Sequence, residues 1–449
     1  MAAHPLKMVR RLGARDAALI VMGGIIGSGI FRNPSVVAKS VHAGWAILGV
    51  WIAGGVIALL GAFVFAELAA RRPSDGGLYA YMRDAFHPVV AFMYGWTLLL
   101  VSQSGGMAAA ALTFAGYFQP LTGASVDPTL LAAAVLGVFT FVNCLGVREG
   151  SGLQNAFMVL KIAAIAGLIV AGFLAHPTAA ANVQTPTGST LPLLGAMAIS
   201  MIAVLFAYSG WQTSSFMTAE MRDPARALPR GLLWGVCGVI ALYVLVNIVC
   251  LRVLGPVGLM HTDAPASEVL RALMGSRGAQ LIAALIALST LGFLSNQILV
   301  SPRVYHAMAE DGIFFRTIGW LHPKTRVPVV AIALQGAVAV AITLWKGYAQ
   351  ILNYVISVDY VFFALAAVAI FVFRARDRAS AAAAPRFLIP LHPFTTALFL
   401  GVAVAVVVTT YVASFLNALV TFGLLVIAVP AYYAFVALER RKSPTSTVP

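Results

Sequence analysis

The sequence GGIIGSGIF, residues 23–31, lies near the start of the chain, inside an apolar segment long enough to cross a membrane. Four of these nine residues are glycine, and each glycine weakens a helix by about 1 kcal/mol relative to alanine. The stretch therefore predicts a membrane-spanning helix that is broken near its middle.

A second interrupted helix is predicted at Phe206-Ala207-Tyr208-Ser209-Gly210-Trp211, which polar residues 212–215 follow. By our reading it belongs to the sixth apolar segment, five after the first. Interrupted spans at matching positions of two halves indicate an inverted-repeat transporter with its binding site near the bilayer midplane. The alternative is that these glycines only let helices pack closely.

The composition of the whole chain is that of a membrane protein. Of its 449 residues, 61% are hydrophobic and only 10% are charged, whereas soluble domains carry about 25% charged residues. The apolar runs have the length of spanning helices rather than of membrane β-strands. We predict an all-α membrane protein of twelve transmembrane helices, at residues 16–40, 44–70, 88–118, 128–147, 152–175, 193–219, 229–254, 279–303, 327–346, 349–373, 392–412 and 415–437.

The predicted organisation places ten of these helices in a transport core, residues 16–375. A linker, 376–391, connects the core to two additional helices, 392–437. Cytoplasmic tails are predicted at 1–15 and 438–449.

The net charge of +14 comes from basic residues that lie between the apolar segments. Most of them fall on the side of the N-terminus, which predicts that both termini are cytoplasmic and that the protein resides in the inner (plasma) membrane. This pattern argues against nucleic acid as a partner. The loop Gly255–Gly278, on the opposite side, is predicted to hold a short helix at Ser267–Met274.

Two broken helices would create a site for a zwitterion. A break at Gly27, Ser28 and Gly29 leaves backbone N–H groups at the positive end of a half-helix, which suits a carboxylate. A break near Ser209 leaves carbonyl groups, which suit an ammonium. The pair predicts an α-amino acid as the ligand and leaves its side chain undetermined.

Two ionisable residues are predicted inside membrane spans, Lys161 and Asp359. Ionisable groups at that depth are candidate functional residues: Lys161 could serve gating or proton coupling, and Asp359 could carry a proton. Each could instead brace neighbouring helices. Asp359 could also contact a polar or cationic substrate side chain. Asn296 and Gln297 are expected to face the interior of the bundle.

The remaining polar and aromatic candidates are expected to have structural roles, and the motifs typical of enzymes and metal sites are missing from the sequence. Glu67 and Glu220, at the ends of spans, are expected to form ion pairs near the inner surface. Trp211 could act as a lid or as packing. The sequence shows no phosphate-binding loop, no cluster of metal ligands and no catalytic constellation. We therefore predict neither a cofactor nor a metal, and no enzyme activity.

In order along the chain, these motifs resemble the amino acid–polyamine–organocation (APC) superfamily of LeuT-type fold, and most closely its L-type branch of heteromeric light chains and bacterial relatives. The resemblance extends from about residue 10 to 435. It rests on Gly24–Phe31, on Ala66-Glu67-Leu68 with Gly76-Gly77-Leu78-Tyr79, on Gln154-Asn155-Ala156-Phe157 before Lys161, on Phe206–Trp211 with Asp223-Pro224, and on Ser301-Pro302-Arg303.

The resemblance implies roles for individual residues. Main-chain N–H groups of Gly27, Ser28 and Gly29 would hold the substrate carboxylate, and Phe206 would be an aromatic gate. Lys161 would occupy the place of sodium in sodium-coupled relatives and reach Ser289, which implies sodium-independent transport. The ammonium would be bound by carbonyls near Ile25, Phe206, Ala207 and Ser209.

The sequence departs from mammalian members of that branch in two places. Residues 119–128 contain no cysteine, so a disulfide-linked heavy chain is not expected, and the chain could act as a monomer. Asp359-Tyr360 stands where those members often carry Asn-Trp. The prediction is therefore a sodium-independent carrier of α-amino acids, mainly neutral ones, by exchange or proton linkage. The alternatives are a cationic amino-acid or polyamine exchanger and a non-transporting amino-acid sensor.

Overall fold

The computed structural model describes residues 12–74, 76–123, 126–145, 150–174, 193–325, 327–345, 347–380, 385–413 and 415–442, with side chains of 150–157, 219–220, 413–418 and 438–442 left aside. These residues form helices and connecting loops, together with one isolated bridge between Leu12 and Met221. The predicted tails lie mostly outside the described residues, as do residues 381–384 of the predicted linker.

Sixteen α-helices make up the described part of the chain. They are α1 (Ala14–Ile25), α2 (Gly29–Ser40), α3 (Gly44–Arg71), α4 (Leu78–Ala85), α5 (Pro88–Thr97), α6 (Gln103–Thr122), α7 (Pro128–Cys144), α8 (Gly150–Leu174), α9 (Leu193–Tyr208), α10 (Pro224–Met260), α11 (Pro265–Val300), α12 (Pro302–Glu310), α13 (Val329–Trp345), α14 (Tyr348–Ala379), α15 (Phe394–Ala413) and α16 (Phe415–Lys442). A π-helical turn, Leu98–Ser102, joins α5 to α6, and a 3-10 helix, Trp211–Glu220, follows α9.

The helices have the length and composition of membrane spans. Among the described residues, eight are long and apolar enough to cross a membrane, and a ninth span results if α1 and α2, bent by 43°, are taken together. Shorter apolar helices lie at Pro128–Cys144, Met158–Leu174 and Val329–Trp345. The prediction of an all-helical, multi-pass membrane protein is confirmed, and the predicted apolar segments fall on these helices.

Several boundaries differ from the predicted ones. Helix α14 continues to Ala379, so the core extends into the predicted linker. The second half of the sixth span is a 3-10 helix and not an α-helix. Helices α10 and α11 are each kinked at a glycine with φ of 66°, Gly255 and Gly275. The segment of α11 before Gly275 confirms the short helix predicted at Ser267–Met274.

Packing brings the broken spans to the centre of the bundle. Helix α1 packs against α10, and α2 packs against α9, while α3 lies along α10 and α9. Glycines permit these close approaches. A side chain at Gly235 on α10 would meet Val21 of α1 at 2.6 Å, and one at Gly54 on α3 would meet Val204 of α9 at 2.4 Å.

One end of the bundle carries a buried network of charges, and we call it the basic end. It is the end where α1 begins and where α3 and α14 finish. The fully buried Glu67 accepts hydrogen bonds from Arg71 (2.6 Å), from Arg374 (2.6 and 2.8 Å) and from the backbone N–H of Ile389 (2.7 Å). Arg71 also pairs with Asp377 at 2.6 Å. The opposite end, where α2 finishes and α14 begins, is called the far end.

The described residues 385–393, between α14 and α15, pack on the basic end. Phe387 stacks on Phe63 of α3 with ring centroids 6.4 Å apart, and Arg386 pairs with Asp223 at 2.7 Å. The predicted ion-paired role of Glu67 is therefore seen, whereas the side chain of Glu220 lies outside the described residues.

Candidate functional site

The two helix breaks touch each other through their glycines. Gly210, which follows α9, has φ of +113°, and a Cβ added there would lie 2.0 Å from the carbonyl oxygen of Gly24 on α1. A Cβ added to Gly24 would in turn lie 2.6 Å from the carbonyl oxygen of Gly210. Real side chains do not fit at these distances, so the sequence needs glycine at both positions for the breaks to meet.

A small cavity lies where the breaks meet, with a volume of about 40 Å³. That is room for about three water molecules. It is lined by Gly24, Ile25, Gly27, Ser28, Gly29, Ser102, Gln103, Gly106, Phe206, Ser209, Gly210, Gln212, Phe293, Gln297, Val355 and Asp359.

Seven of the eight predicted substrate-binding residues line this cavity. They are Ile25, Gly27, Ser28, Gly29, Phe206, Ser209 and Asp359. The eighth, Ala207, packs directly on α2. The approach is so close that a Cβ added at Gly29 would lie 2.5 Å from the Cα of Ala207. Trp211, Lys161 and Ser289 are not part of the lining.

The α2 side of the cavity offers N–H donors, though fewer than predicted. Helix α2 begins at Gly29, so the N–H groups of Gly29 and Ile30 have no intrahelical partner, whereas the Phe31 N–H donates to the Ser28 carbonyl at 3.3 Å. The N–H of Gly27, however, donates to the Ile25 carbonyl at 2.8 Å, and that carbonyl also accepts from the Tyr243 hydroxyl at 3.1 Å. In this conformation Gly27 and Ile25 are thus occupied within the protein, and the start of α2 supplies the donors.

The α9 side offers carbonyl acceptors. Helix α9 ends at Tyr208, which leaves last-turn carbonyls without intrahelical partners. Ser209 uses two of them itself: its N–H donates to the Phe206 carbonyl at 3.2 Å, and its hydroxyl donates to the Leu205 carbonyl at 2.8 Å. The Phe206 carbonyl is therefore engaged here, and the following carbonyls of the last turn supply the acceptors.

Lys161 supports the break between α1 and α2 from behind. Its side chain is 2% exposed, and its Nζ donates to the Ile26 carbonyl at 2.9 Å. The same Nζ lies 5.6 Å from the centroid of Phe293, whose ring borders the cavity. The predicted contact with Ser289 is not made, since the Ser289 hydroxyl is buried without a hydrogen-bond partner in the described part of the chain.

Asp359 reaches the cavity from α14. Its side chain is 4% exposed, and its Oδ1 accepts a hydrogen bond from the Ser102 hydroxyl at 2.6 Å. Next to it, the Gln103 Oε1 accepts from Gln297 Nε2 at 2.6 Å and from the Ser301 hydroxyl at 3.1 Å. Gln297 is buried as expected.

Ser102 and Gln103 were missed by the sequence analysis. A signal for them exists, because residues 102–106, Ser-Gln-Ser-Gly-Gly, are small or polar in the middle of an otherwise apolar span. In the structure Ser102 is the last residue of the π-helical turn and residues 103–106 follow it, and such turns are frequent at functional sites.

A second, larger cavity of about 550 Å³ lies at the far end. Tyr348 borders it and contacts Phe206 of the central cavity, with ring centroids 6.3 Å apart. The Arg32 guanidinium stacks 4.3 Å from the centre of the Tyr348 ring, and the Tyr348 hydroxyl donates to Asn33 at 3.1 Å. Phe206 and Tyr348 therefore stand between the two cavities.

Toward the basic end, the central cavity is closed by aromatic packing. Trp211 meets Phe65 edge-on at 4.7 Å and lies against Phe363 at 4.8 Å between ring centroids. A side chain at Gly61 would overlap the Trp211 ring at 2.7 Å. Trp211 thus packs beneath the cavity and does not line it.

Comparison with known proteins agrees with this architecture. The amino acid permease family matches residues 12–436, nearly the whole chain. The chain is similar to the mouse (Mus musculus) b(0,+)-type amino acid transporter 1, at 28% identity over 97% of this chain and 91% of that protein. It is 31% identical to the rat (Rattus norvegicus) large neutral amino acids transporter small subunit 2, over 79% and 68%.

A bacterial relative is similar along its full length. The serine/threonine exchanger SteT of Bacillus subtilis (strain 168) is 27% identical over 97% of this chain and 98% of that protein. With the family match and the helical architecture, these similarities confirm the resemblance drawn from the motifs. The chain belongs to the amino acid permease family, in the L-type branch of the APC superfamily.

Proposed function

We propose that the protein is a sodium-independent secondary transporter that moves α-amino acids, mainly neutral ones, across the inner membrane by alternating access. One observation carries this proposal: the N-terminal start of α2 and the C-terminal end of α9 face one buried cavity across the Gly24–Gly210 contact. Donors on one side and acceptors on the other match the carboxylate and the ammonium of an amino acid.

The position of Lys161 supports the proposal that transport is not coupled to sodium. Its ammonium already donates to the Ile26 carbonyl at the break of the first span. A cation bound to that carbonyl would have to displace a fixed positive charge, which is unfavourable in a buried site. The proposal is that the lysine performs the structural part that a sodium ion would otherwise perform there.

The proposed architecture is a twelve-span protein with a LeuT-type repeat of five plus five helices. Its ten-helix transport core covers residues 16–375, and two added helices follow at 392–437. The basic end would face the cytoplasm by the positive-inside rule, with both termini on that side. We expect a monomer without a disulfide-linked heavy chain, with the lipid bilayer and an amino acid as its partners.

Uptake of labelled amino acids into proteoliposomes tests the function. Each amino acid is measured with and without internal amino acid, with and without sodium, and across a pH gradient. We expect uptake that sodium does not change. Dependence on internal substrate would identify an exchanger, and dependence on the pH gradient would identify a proton-linked carrier.

Carboxyl-blocked amino acids provide the matched control for the proposed carboxylate-binding site at the start of α2. Their methyl esters keep the ammonium and the side chain but present no carboxylate to the N–H groups. They should compete with labelled substrate at least about tenfold more weakly, because a charged acceptor is lost from those donors. Equal competition by the free amino acids and by their methyl esters would contradict the proposed carboxylate-binding site.

Phe206 and Tyr348 are proposed to form the gate toward the far end. Tyr348→Ala should remove the ring that Phe206 and Arg32 contact and raise the KM for uptake from that side about three- to tenfold. Tyr348→Phe keeps the ring and loses only the hydrogen bond to Asn33, so its KM should change less. Concentration dependence in oriented vesicles measures both, and the same KM in all three proteins would remove Tyr348 from the gate.

A further inference from the structure

The cavity has an end that the amino and carboxyl groups of a substrate would not fill. Asp359 from α14, with Ser102 and Gln103 from α6 and Gln297 from α11, forms this polar end. The N–H and carbonyl groups assigned above belong to α2 and α9. The polar end is therefore where a substrate side chain would lie if the proposed function holds.

At the polar end, two acceptor atoms have no hydrogen-bond donor among the described residues. Asp359 receives a single hydrogen bond, from Ser102 to Oδ1, and its Oδ2 accepts none from the described residues. The Gln297 Oε1 is buried and likewise accepts none within the described part of the chain. Both side chains are 4% exposed, so any water that reaches these acceptors lies inside the cavity.

The composition of the lining agrees with this observation. Asp359 is the one acidic or basic side chain among the described residues that line the cavity. The Lys161 ammonium is engaged with Ile26 behind the Phe293 ring and is not part of the lining. An acidic substrate side chain would meet a carboxylate at close range without a compensating cation.

We infer that Asp359 selects substrates whose side chain donates a hydrogen bond, such as a hydroxyl, an amide or an ammonium, over apolar side chains of the same shape. A donor would bind to the second oxygen of Asp359 and to the Gln297 oxygen. An apolar side chain would displace water from both acceptors and donate no hydrogen bond to either of them. Sites built to bond a substrate hydroxyl reject the analogue that lacks it for this reason.

The volume of the cavity favours small members of this class. The cavity, at about 40 Å³, must widen to hold any amino acid. A short side chain requires the least widening. Gly106 borders the cavity, and no atom lies within 4 Å of the position where a Cβ would be added to it. Threonine and serine therefore fit the polar end with less displacement of the walls than long side chains do.

Threonine and valine form the test pair, because they have nearly the same shape and differ in the hydroxyl. In proteoliposomes containing the wild-type protein, unlabelled threonine should inhibit uptake of a labelled substrate about ten- to a hundredfold more strongly than valine. Serine should exceed alanine in the same way. Lysine or ornithine against norleucine extends the pair to an ammonium donor.

Variants at Asp359 assign this preference to its carboxylate. Asp359→Leu should bring the threonine-to-valine ratio close to one, while Asp359→Asn, which keeps one acceptor oxygen, should retain part of it. Ser357→Ala is the matched control. It removes a buried hydroxyl from the same helix that bonds the Asn353 carbonyl and does not line the cavity, so the ratio should stay at the wild-type value.

The outcomes separate this inference from the proposed function on which it rests. Uptake of amino acids with valine equal to or better than threonine in the wild type would overturn the inference and leave the transport function standing. A threonine-to-valine ratio in Asp359→Leu as high as in the wild type would also overturn the inference and leave the transport function standing. Absence of uptake of any amino acid would instead contradict the proposed function, and the inference would fall with it.

Discussion

Lys161→Ala is expected to lose most transport, roughly ten- to a hundredfold, while the protein still reaches the membrane. The Lys161 ammonium donates to the Ile26 carbonyl at the break between α1 and α2. Without it, the buried Ile26 carbonyl loses its donor and the break loses its positive charge, which costs about the strength of a charged hydrogen bond. Uptake per mole of reconstituted protein measures the effect.

Lys161→Met is the matched control, because it keeps most of the volume of the lysine chain and removes only the charge. Both variants should show this loss of transport and should elute as folded, monodisperse protein in detergent. If the alanine variant regains uptake with added sodium and the methionine variant does not, a cation in the vacated space replaces the ammonium. Normal uptake by Lys161→Met would remove the charge from the mechanism.

Gly210→Ala should abolish transport and lower the thermal stability of the purified protein more than Gly312→Ala does. Its Cβ would lie 2.0 Å from the Gly24 carbonyl oxygen, so α1 and α9 would have to move apart at the cavity. The φ of +113° adds backbone strain of about 1–3 kcal/mol for a residue other than glycine. Melting temperature and uptake are the two readouts.

Gly312→Ala separates the two causes. Gly312 also has a positive φ, +70°, but no atom lies within 4 Å of an added Cβ. This variant should therefore bear only the backbone cost and should keep transport. Equal losses of stability in Gly210→Ala and Gly312→Ala would mean that the contact between the two breaks contributes nothing.

The breaks themselves could be predicted from the sequence because glycine weakens a helix wherever it is placed. Gly27, Ser28 and Gly29 lie in the break or at the helix start that it creates, and Ser209 and Gly210 follow directly after α9. The sequence could not show that Gly24 and Gly210 touch, since that contact depends on how α1 and α9 pack in three dimensions.

The partners of the buried polar residues were less predictable. Lys161 was expected to reach Ser289 and instead bonds a backbone carbonyl, at Ile26, a type of partner that has no side-chain signature. The internal use of the Gly27 N–H and the Ile25 carbonyl is likewise a property of local backbone angles. Ser102 does carry a signal, as a polar residue in an apolar span, but its pairing with Asp359 spans 257 positions of sequence.

The convergence on Glu67 has a consequence for ion leakage. Four hydrogen bonds from three stretches of chain end on one fully buried carboxylate, and removing one partner of a buried ion pair costs about 3–5 kcal/mol. A half-open passage at the basic end would break some of these bonds before water could replace them. We therefore expect such states to be disfavoured and ion leakage between turnovers to be low, which a dye-leakage or conductance measurement on reconstituted vesicles checks.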